Sequence, residues 1–298
     1  MSNRTNVGKT AWSGKTAVVV GASAGLGRAL AGALAAQGAA RILLVARDLS
    51  RLQALERHLA ERWPTTRFSL CQADVSTRTG AAAVAEHLSR GVSPGEPISS
   101  GPEQPPGVGG VDLLVNAVGL SDRGPALKLT SCRLDELMHT NVHAPLLVVQ
   151  SLIPHMAVGG VIVNIGSLSS YFAPRFLGGY SLAKHALRAL TQQLRLELKD
   201  SGLHVMLACP GPIARDDDPG SSRYAELPTA SDIPAEALAG GGGAKLRGLN
   251  SDRLAEDILL AAGRRQLELI RPRKARLLIW LIALWPSWGE TWLRRMTR

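Results

Sequence analysis

A tyrosine and a lysine four residues apart, Tyr180 and Lys184, are the side chains best spaced for proton-transfer chemistry. On a helix, residues i and i+4 lie on one face, so the phenol and the ammonium would be neighbours. An unperturbed tyrosine titrates near pH 10, and a nearby ammonium lowers that pKa toward neutrality. Ser167, at the end of a predicted strand over residues 161–167, could hydrogen-bond the same substrate oxygen. Because Tyr-x-x-x-Lys also arises by chance on surface helices, the surrounding elements decide its meaning.

A glycine-rich turn near the N-terminus lies between a predicted strand and a predicted helix. Residues 16–20 are a β-branched apolar run typical of a buried parallel strand. Residues 28–37 have a helical pattern, and Gly38 follows as a C-terminal cap. Between them, residues 21–27 contain three glycines. Backbone N–H groups in such a turn can approach an anion closely, and the helix dipole favours negative charge there, so the sequence predicts a phosphate-binding cradle.

The residue that follows the next predicted strand indicates which dinucleotide would bind. That strand covers residues 41–46, and Arg47 comes directly after it, twenty residues past Gly27. Dinucleotide-binding folds usually have an Asp or Glu near this point to hold the ribose 2′-hydroxyl of NAD. A guanidinium instead can bind a 2′-phosphate through two parallel hydrogen bonds. We therefore predict NADP(H) in preference to NAD(H), and an ordinary exposed arginine is the alternative for Arg47. Arg28 could assist, although an arginine at the start of a helix is more often solvated.

Strands alternate with helical patterns along most of the chain. This alternation predicts an α/β fold, a single-domain Rossmann fold with a doubly wound parallel sheet. At 298 residues the chain is long enough for one large core. Three scattered cysteines argue against a disulfide framework or a metal site, and predict reduced, buried thiols. The first residues lack the apolar segment of a signal peptide, so we expect an intracellular protein.

Over residues 14–212 the sequence resembles the short-chain dehydrogenase/reductase family in five motifs that occur in the family's order. The glycine turn matches TGxxxGxG with Val20 in place of the threonine, and residues 112–119 match the Asn-Asn-Ala-Gly strand except at Ala117 and Val118. The catalytic positions implied by the resemblance are Asn141, Ser167, Tyr180 and Lys184. Together with Arg47, the cofactor-binding positions are Gly21, Ser23, Gly25, Leu26, Gly27, Asp74, Val75, Asn116, Gly119, Tyr180, Lys184, Pro210, Gly211 and Ile213. No metal is implied.

The resemblance implies reduction of a carbonyl to a secondary alcohol by hydride transfer from NADPH. In that scheme Ser167 orients the ketone, Tyr180 donates a proton as general acid, and Lys184 lowers the pKa of that tyrosine. Lys184 also holds the nicotinamide ribose, and Asn141 positions a water in a proton relay. The competing hypothesis is a non-catalytic NADP-binding scaffold or redox sensor at a membrane surface. Such a scaffold has no need for all four side chains.

Two irregular segments interrupt the predicted catalytic domain, residues 14–270, which follows an N-terminal arm of residues 1–13. Residues 91–110 are rich in proline and glycine without apolar periodicity, and predict a flexible insertion. Residues 214–250 lie where the family has its substrate-binding lid. Three consecutive aspartates there, 216–218, resemble a metal cluster only superficially, because adjacent side chains point apart.

A basic and apolar tail, residues 271–298, is the most unusual feature outside the catalytic motifs. Of a net charge of +10, residues 264–298 contribute +7, from nine basic residues against two acids. The apolar run 277–285 is too short to span a bilayer. Tryptophans flanked by arginines are nevertheless typical of a membrane interface. We expect a basic amphipathic helical tail that contacts a membrane peripherally at its cytoplasmic face, or contacts a hydrophobic substrate; packing in a homo-oligomer is the alternative.

The arrangement of the basic residues also bears on the partner. They flank an apolar core instead of alternating with single aromatics, and no recognition module is present, so we expect no nucleic-acid partner. The tail and the general resemblance are similar to the family branch that includes membrane-associated lipid-ketone reductases of the member 7B type. This similarity predicts a hydrophobic ketone as the small-molecule substrate.

Overall fold

The computed structural model describes residues 10–90, 110–214, Ile233, Pro234, Ala237 and 248–296. The predicted insertion at 91–110 and the predicted lid at 214–250 therefore lie almost entirely outside the described residues. The same holds for the aspartates 216–218 and for most of the predicted N-terminal arm.

A seven-stranded parallel sheet forms the centre of the fold, in the order β3-β2-β1-β4-β5-β6-β7. Its strands are β1 (Thr16–Val20), β2 (Arg41–Ala46), β3 (Arg67–Gln72), β4 (Val111–Asn116), β5 (Met156–Ile165), β6 (His204–Pro210) and β7 (Glu268–Arg271). Each neighbouring pair is parallel. The strand order reverses between β1 and β4, and open α/β sheets bind ligands outside the carboxyl ends of the strands at such a switch point.

Helices cover both faces of the sheet. They are α1 (Gly25–Ala36), α2 (Leu49–Arg62), α3 (Arg78–Arg90), α4 (Ser131–Met138), α5 (Ala144–Leu152), α6 (Tyr180–Glu197), α7 (Ser251–Gly263), α8 (Ala275–Leu284) and α9 (Pro286–Met296), with a π-helical turn over His139–His143. Alternate residues of β1 show the two layers: Ala17 and Val19 join one core cluster with α1 and α7, and Val18 and Val20 join another with α3 and α5. The predicted α/β fold with a doubly wound parallel sheet is confirmed.

Two element boundaries differ from the sequence prediction at places that matter for the site. α1 begins at Gly25, three residues earlier than predicted, so the glycine turn runs directly into the helix. β5 ends at Ile165, two residues before Ser167. The strand stops there because the Ser167 hydroxyl accepts a hydrogen bond from the Ser169 N–H at 3.1 Å and closes a 3-10 turn. Gly38 follows α1 at φ +82°, the left-handed conformation expected of the predicted cap.

The prediction of buried thiols is correct for two of the three cysteines. Cys71 and Cys209 are buried, whereas Cys132 is exposed. Cys132 lies in the first turn of α4, a helix whose buried residue is Leu137. The prediction was wrong at Cys132 because that position faces away from the side of α4 that packs on the core.

Candidate active site

The turn between β1 and α1 approaches its surroundings too closely for side chains. A Cβ atom on Gly27 would lie 2.1 Å from the Gly21 carbonyl oxygen. Gly21 has φ +84°, and a Cβ there would lie 3.0 Å from the carbonyl carbon of Ala117. Ala24, the N-cap of α1, provides no side-chain cap, and the first turn of the helix contains no acid. The first N–H groups of α1 are therefore available to an anion such as a pyrophosphate.

The other predicted positions of this turn differ in what they can offer. Gly25 begins α1 at φ +52°. Ser23 is half-buried, so its hydroxyl can reach a ligand in the turn. The Leu26 side chain is buried in the core, and Leu26 can therefore contact a cofactor only through its backbone.

Arg47 and Asp74 lie at the carboxyl ends of β2 and β3, where the adenosine half of a dinucleotide is predicted. The Asp74 carboxylate accepts hydrogen bonds from the Ser76 hydroxyl at 2.7 Å and from the Ser76 N–H at 3.1 Å. The Ser76 hydroxyl is the main cause of the lowered pKa of Asp74, and the exposed Arg47 guanidinium contributes through its charge. Val75 is buried, so any contact it makes to a cofactor is through its backbone.

An acid does follow Arg47, but the helix uses it. Asp48 is the N-cap of α2, and its carboxylate accepts hydrogen bonds from the Ser50 hydroxyl at 2.6 Å and from the Arg51 N–H at 3.1 Å. The Ser50 hydroxyl, followed by the Arg51 N–H, lowers the pKa of Asp48. These bonds engage Oδ1 of Asp48, and Oδ2 pairs with Arg51 Nε at 3.2 Å, whereas the Arg47 side chain beside it is exposed.

The side chain of Asn116, a predicted cofactor contact, cross-links the sheet. Its Nδ2 donates to Asn164 Oδ1 at 2.9 Å, and Asn164 Nδ2 donates to the Thr191 hydroxyl at 3.0 Å. All three residues are buried. This chain of hydrogen bonds ties β4 to β5 and to α6. A backbone contact of Asn116 stays a prediction.

Lys184 is placed against Tyr180, as the i and i+4 spacing predicts. Tyr180 is the first residue of α6, and the Lys184 Nζ lies 5.7 Å from the centroid of its ring. Lys184 is only 3% exposed, and its Nζ donates to the carbonyl oxygen of Ile165 at 2.9 Å. Burial lowers the pKa of Lys184 to about 8. The lysine therefore joins α6 to the end of β5, two residues before Ser167.

Asn141 lies in the π-helical turn between α4 and α5. Its Nδ2 donates to the carbonyl oxygens of Leu120 at 2.8 Å and Leu137 at 2.9 Å. Its Oδ1 is buried and accepts no hydrogen bond from the described residues. A Cβ on Gly119 would lie 3.2 Å from this oxygen and 3.4 Å from Lys184 Nζ. An unpaired buried acceptor costs roughly 1–3 kcal/mol, so the oxygen is suited to a water held near Nζ.

The Ser167 hydroxyl oxygen already accepts one hydrogen bond from within the protein. Its Oγ accepts the Ser169 N–H at 3.1 Å, while its own N–H donates to the Ser170 hydroxyl at 3.2 Å. Since Oγ is an acceptor in the turn, its proton is the part available to a substrate carbonyl. Ser167 is half-buried, which leaves that proton within reach of a ligand.

The predicted cofactor positions after β6 lie at the same carboxyl edge of the sheet. Pro210 ends β6, and the Gly211 N–H donates to the Arg271 carbonyl at 2.7 Å. Ile213 pairs with Leu249 in an isolated bridge. These contacts fix the backbone beside Cys209. Burial raises the pKa of the Cys209 thiol to about 12, which favours the neutral thiol at pH 7.

An ion pair between the buried Asp122 and the half-buried Arg133, beside the residue that precedes Tyr180, was not predicted from the sequence. Asp122 is 4% exposed, and its Oδ1 accepts from Arg133 Nε at 3.0 Å. Its Oδ2 accepts from the Gly179 N–H at 3.2 Å. Gly179 is the N-cap of α6, directly before Tyr180. No local pattern signals this arrangement, because Asp122 and Gly179 are 57 residues apart.

Comparisons with known proteins agree with this geometry. The family described as short chain dehydrogenase matches residues 15–218. The protein "Dehydrogenase/reductase SDR family member 7B" of Danio rerio is 33% identical over 204 residues, covering 66% of this chain but only 60% of the relative. "Farnesol dehydrogenase" of Aedes aegypti is 30% identical over 67% of this chain and 77% of that protein. A solved metagenomic short-chain oxidoreductase in complex with NADP is 26% identical, with a TM-score of 0.64 over 88% of this chain and 98% of its own. The resemblance predicted from the motifs is confirmed: the chain belongs to the short-chain dehydrogenase/reductase family of oxidoreductases.

Proposed function

We propose that the protein is an NADPH-dependent reductase that converts a lipophilic ketone to a secondary alcohol. The observation that carries the proposal is the buried Lys184 ammonium 5.7 Å from the centroid of the Tyr180 ring. The glycine turn is linked to this pair through the end of β4, because Gly21 packs on Ala117 and Gly119 packs on Lys184. A phosphate cradle and a proton donor are thereby joined by a short stretch of backbone.

The residues present fit a nicotinamide dinucleotide. The glycine turn and the uncapped N-terminus of α1 would hold its pyrophosphate, and Arg47 would hold a 2′-phosphate. The solved metagenomic relative is, by its title, a complex with NADP, which supports the same cofactor here. When bound, NADPH supplies the hydride that reduces the carbonyl carbon.

The protein's own side chains supply the proton and the orientation. The Ser167 hydroxyl donates a hydrogen bond to the carbonyl oxygen and fixes the direction of the ketone. Tyr180 donates its proton to that oxygen as negative charge develops there, which completes the alcohol. The Lys184 ammonium favours the phenolate that remains, and a water between Nζ and Asn141 Oδ1 would return a proton to the site. An NADP-binding scaffold would instead bind NADPH without any ketone-dependent oxidation by the wild-type protein.

Cofactor choice is tested at Arg47. Arg47→Asp should weaken NADPH binding about 100-fold and change NADH binding by less than threefold, because a charge-assisted hydrogen bond is worth roughly 1.5–3 kcal/mol. The measurement is the dissociation constant of each reduced cofactor from protein fluorescence.

The control variant is Arg57→Asp, which makes the same change of charge at an exposed position of α2. It should leave both dissociation constants within threefold of the wild-type values. An equal loss of NADPH and NADH binding in Arg47→Asp would contradict the role proposed for the guanidinium.

Two observations support a lipophilic substrate. The Aedes aegypti relative is, by its name, a dehydrogenase of farnesol. In this protein, Leu168 directly follows Ser167 and belongs to an apolar cluster with the half-buried Tyr171 and Phe172. Apolar side chains therefore lie beside the proposed carbonyl-binding hydroxyl.

We further propose that the reaction occurs inside the cell, in the cytoplasm or at the cytoplasmic face of a membrane.

A series of methyl ketones of increasing chain length tests the substrate class. Each buried methylene contributes about 0.8 kcal/mol, so kcat/KM should rise about fourfold per added methylene until the apolar surface is filled. The measurement is NADPH oxidation followed by absorbance. A kcat/KM that is flat or falls with chain length would contradict the lipophilic assignment while leaving carbonyl reduction intact.

A further inference from the structure

The two C-terminal helices expose a group of large apolar side chains. On α8, Leu277, Trp280 and Leu284 are 67%, 64% and 60% exposed. Trp285 and Trp288, at the junction with α9, are 58% and 47% exposed. The three- and four-residue spacing puts the first three side chains on one face of α8. Scattered exposed leucines are ordinary, but a contiguous group of this kind marks an interaction surface.

Contacts on other sides of α8 fix the hairpin formed by α8 and α9. Ala275 is buried and Ile279 half-buried in the apolar cluster that contains Leu168 and Ile270. α9 packs on α8 where Gly289 meets Ile282, since a Cβ on this glycine would lie 2.9 Å from the isoleucine side chain. The helices are therefore held to the edge of the sheet while the face bearing Trp280 remains in solvent.

Basic residues flank this apolar face. Arg273, Lys274 and Arg276 lie at the start of α8, and Arg294 and Arg295 at the end of α9. All five are exposed. Glu290 is the single acid between residues 272 and 296, so the segment carries a net charge of +4. Cations around an apolar face rich in tryptophan match an anionic lipid interface, where the rings lie at the headgroups and the cations pair with phosphates.

We propose that the α8–α9 hairpin, residues 275–296, is a docking surface for an anionic lipid bilayer, lying in the plane of the interface. Among the helices that the structure describes, none is long and apolar enough to cross a membrane. The contact that we propose is peripheral. A second copy of the chain is the less suitable occupant, because a self-complementary contact through this face would bring two +4 segments together. Anionic lipids would neutralise this positive charge, whereas a homodimer would bring two positive segments together.

The place of the hairpin suggests what docking would achieve. Pro272, just before α8, contacts Gly211 of the predicted cofactor loop, and Ala275 and Leu168 share one apolar cluster. Docking would thus bring the carboxyl ends of the strands, where Ser167 lies, close to the bilayer. This consequence rests on the proposed reductase function; the docking itself does not.

Co-sedimentation of the full-length protein with vesicles tests the proposal. Wild-type protein should bind phosphatidylcholine vesicles containing about one third phosphatidylglycerol, and bind pure phosphatidylcholine at least tenfold more weakly. Leu277→Ser/Leu284→Ser should reduce the partition coefficient about tenfold. Leu127→Ser/Leu196→Ser, at positions 100% and 68% exposed away from the hairpin, is the matched control and should bind as wild type.

A second pair of variants tests the charge. Arg294→Glu/Arg295→Glu should reduce binding to the anionic vesicles by about tenfold or more, and Arg57→Glu/Lys199→Glu, with the same change of net charge at exposed positions elsewhere, by much less. Tyr180→Phe should bind vesicles as wild type does, so that loss of turnover and loss of docking are separate results.

Three outcomes would overturn the docking proposal. The first is wild-type protein that sediments no better with anionic vesicles than without them. The second is binding of the hairpin variants that equals binding of their matched controls. The third is a wild-type dimer in sedimentation velocity that Leu277→Ser/Leu284→Ser dissociates without a change in vesicle binding, which would assign the surface to a second copy. The replaced leucines and the replaced basic side chains are exposed, so their variants should keep the wild-type unfolding midpoint. Equal midpoints exclude misfolding as the cause of lost binding.

Discussion

Tyr180→Phe should lower kcat for the proposed ketone reduction by about 10³-fold, within the roughly 10²- to 10⁴-fold that general acid catalysis contributes. The change removes one hydroxyl and keeps the ring that lies beside Lys184 Nζ. The backbone bond from the Tyr180 N–H to the Leu177 carbonyl, 3.1 Å long, is also kept. NADPH affinity and the unfolding midpoint should therefore stay at their wild-type values. The measurement is NADPH oxidation at saturating ketone, with a separate titration of NADPH binding.

Tyr171→Phe is the matched control for this prediction. Tyr171 lies four residues after Ser167 and is half-buried, and burial raises its pKa far above its usual range. Such a phenol is a poor proton donor at neutral pH. Arg188 lies over the ring at 4.4 Å, a contact that phenylalanine retains. We expect kcat within about threefold of wild type. Equal losses in the two variants would show that the phenol at position 180 has no special role.

Local geometry explains why the central motifs were predictable from the sequence. The spacing of Tyr180 and Lys184 determines a shared helix face, whatever the rest of the fold does. The glycine turn was identified because a tight strand-to-helix connection excludes side chains at Gly21 and Gly27. Both predictions use distances of a few residues along the chain. The parallel, doubly wound sheet was predicted from the alternation of strands and helices, because parallel strands need helical crossovers.

Contacts between distant residues explain what the sequence did not reveal. The bond from Asn116 to Asn164 joins residues 48 apart, and the bond from Gly179 to Asp122 joins residues 57 apart. The residues that flank Asn116 and Asp122 in the sequence do not indicate which distant residue each side chain will bind. The N-cap role of Asp48, in contrast, was available as a signal, since it directly precedes the helical run 49–62. That signal matters because it shows which carboxylate is already engaged beside Arg47.

Burial is the property of Lys184 that the sequence could not supply. The pattern Tyr-x-x-x-Lys predicts a neighbour for the phenol, but it does not predict that the ammonium is 3% exposed. The site therefore holds a charge in a place where folding disfavours it. Active sites commonly retain such unfavourable groups for function. For Lys184, the loss of folding stability and the gain in turnover can be measured separately.

Lys184→Met should abolish turnover and stabilise the folded protein by roughly 1–2 kcal/mol at pH 7. Burial lowers the pKa of Lys184 from 10.5 to about 8, and a shift of this size corresponds to roughly 3 kcal/mol of disfavoured charge. Loss of the hydrogen bond from Nζ to the Ile165 carbonyl offsets part of that gain. Methionine has a similar length and no charge, so it can occupy the same buried position. Urea unfolding at pH 7 measures the stability, and NADPH oxidation measures the turnover.

The pH dependence identifies the buried ammonium as the cause. Below pH 8 the lysine is protonated in both folded and unfolded wild-type chains, and the penalty is fully present. Between pH 8 and 10.5 the unfolded chain binds more protons than the folded one, so wild-type stability rises with pH. The advantage of Lys184→Met should therefore shrink over this range, and wild-type ketone reduction should fall as pH passes about 8. Lys199→Met, at an exposed lysine, should change neither stability nor its pH dependence. A stability difference between wild type and Lys184→Met that stays constant from pH 7 to 10 would mean that burial of this charge does not govern the site, because only a group that titrates differently in the two states can change stability with pH.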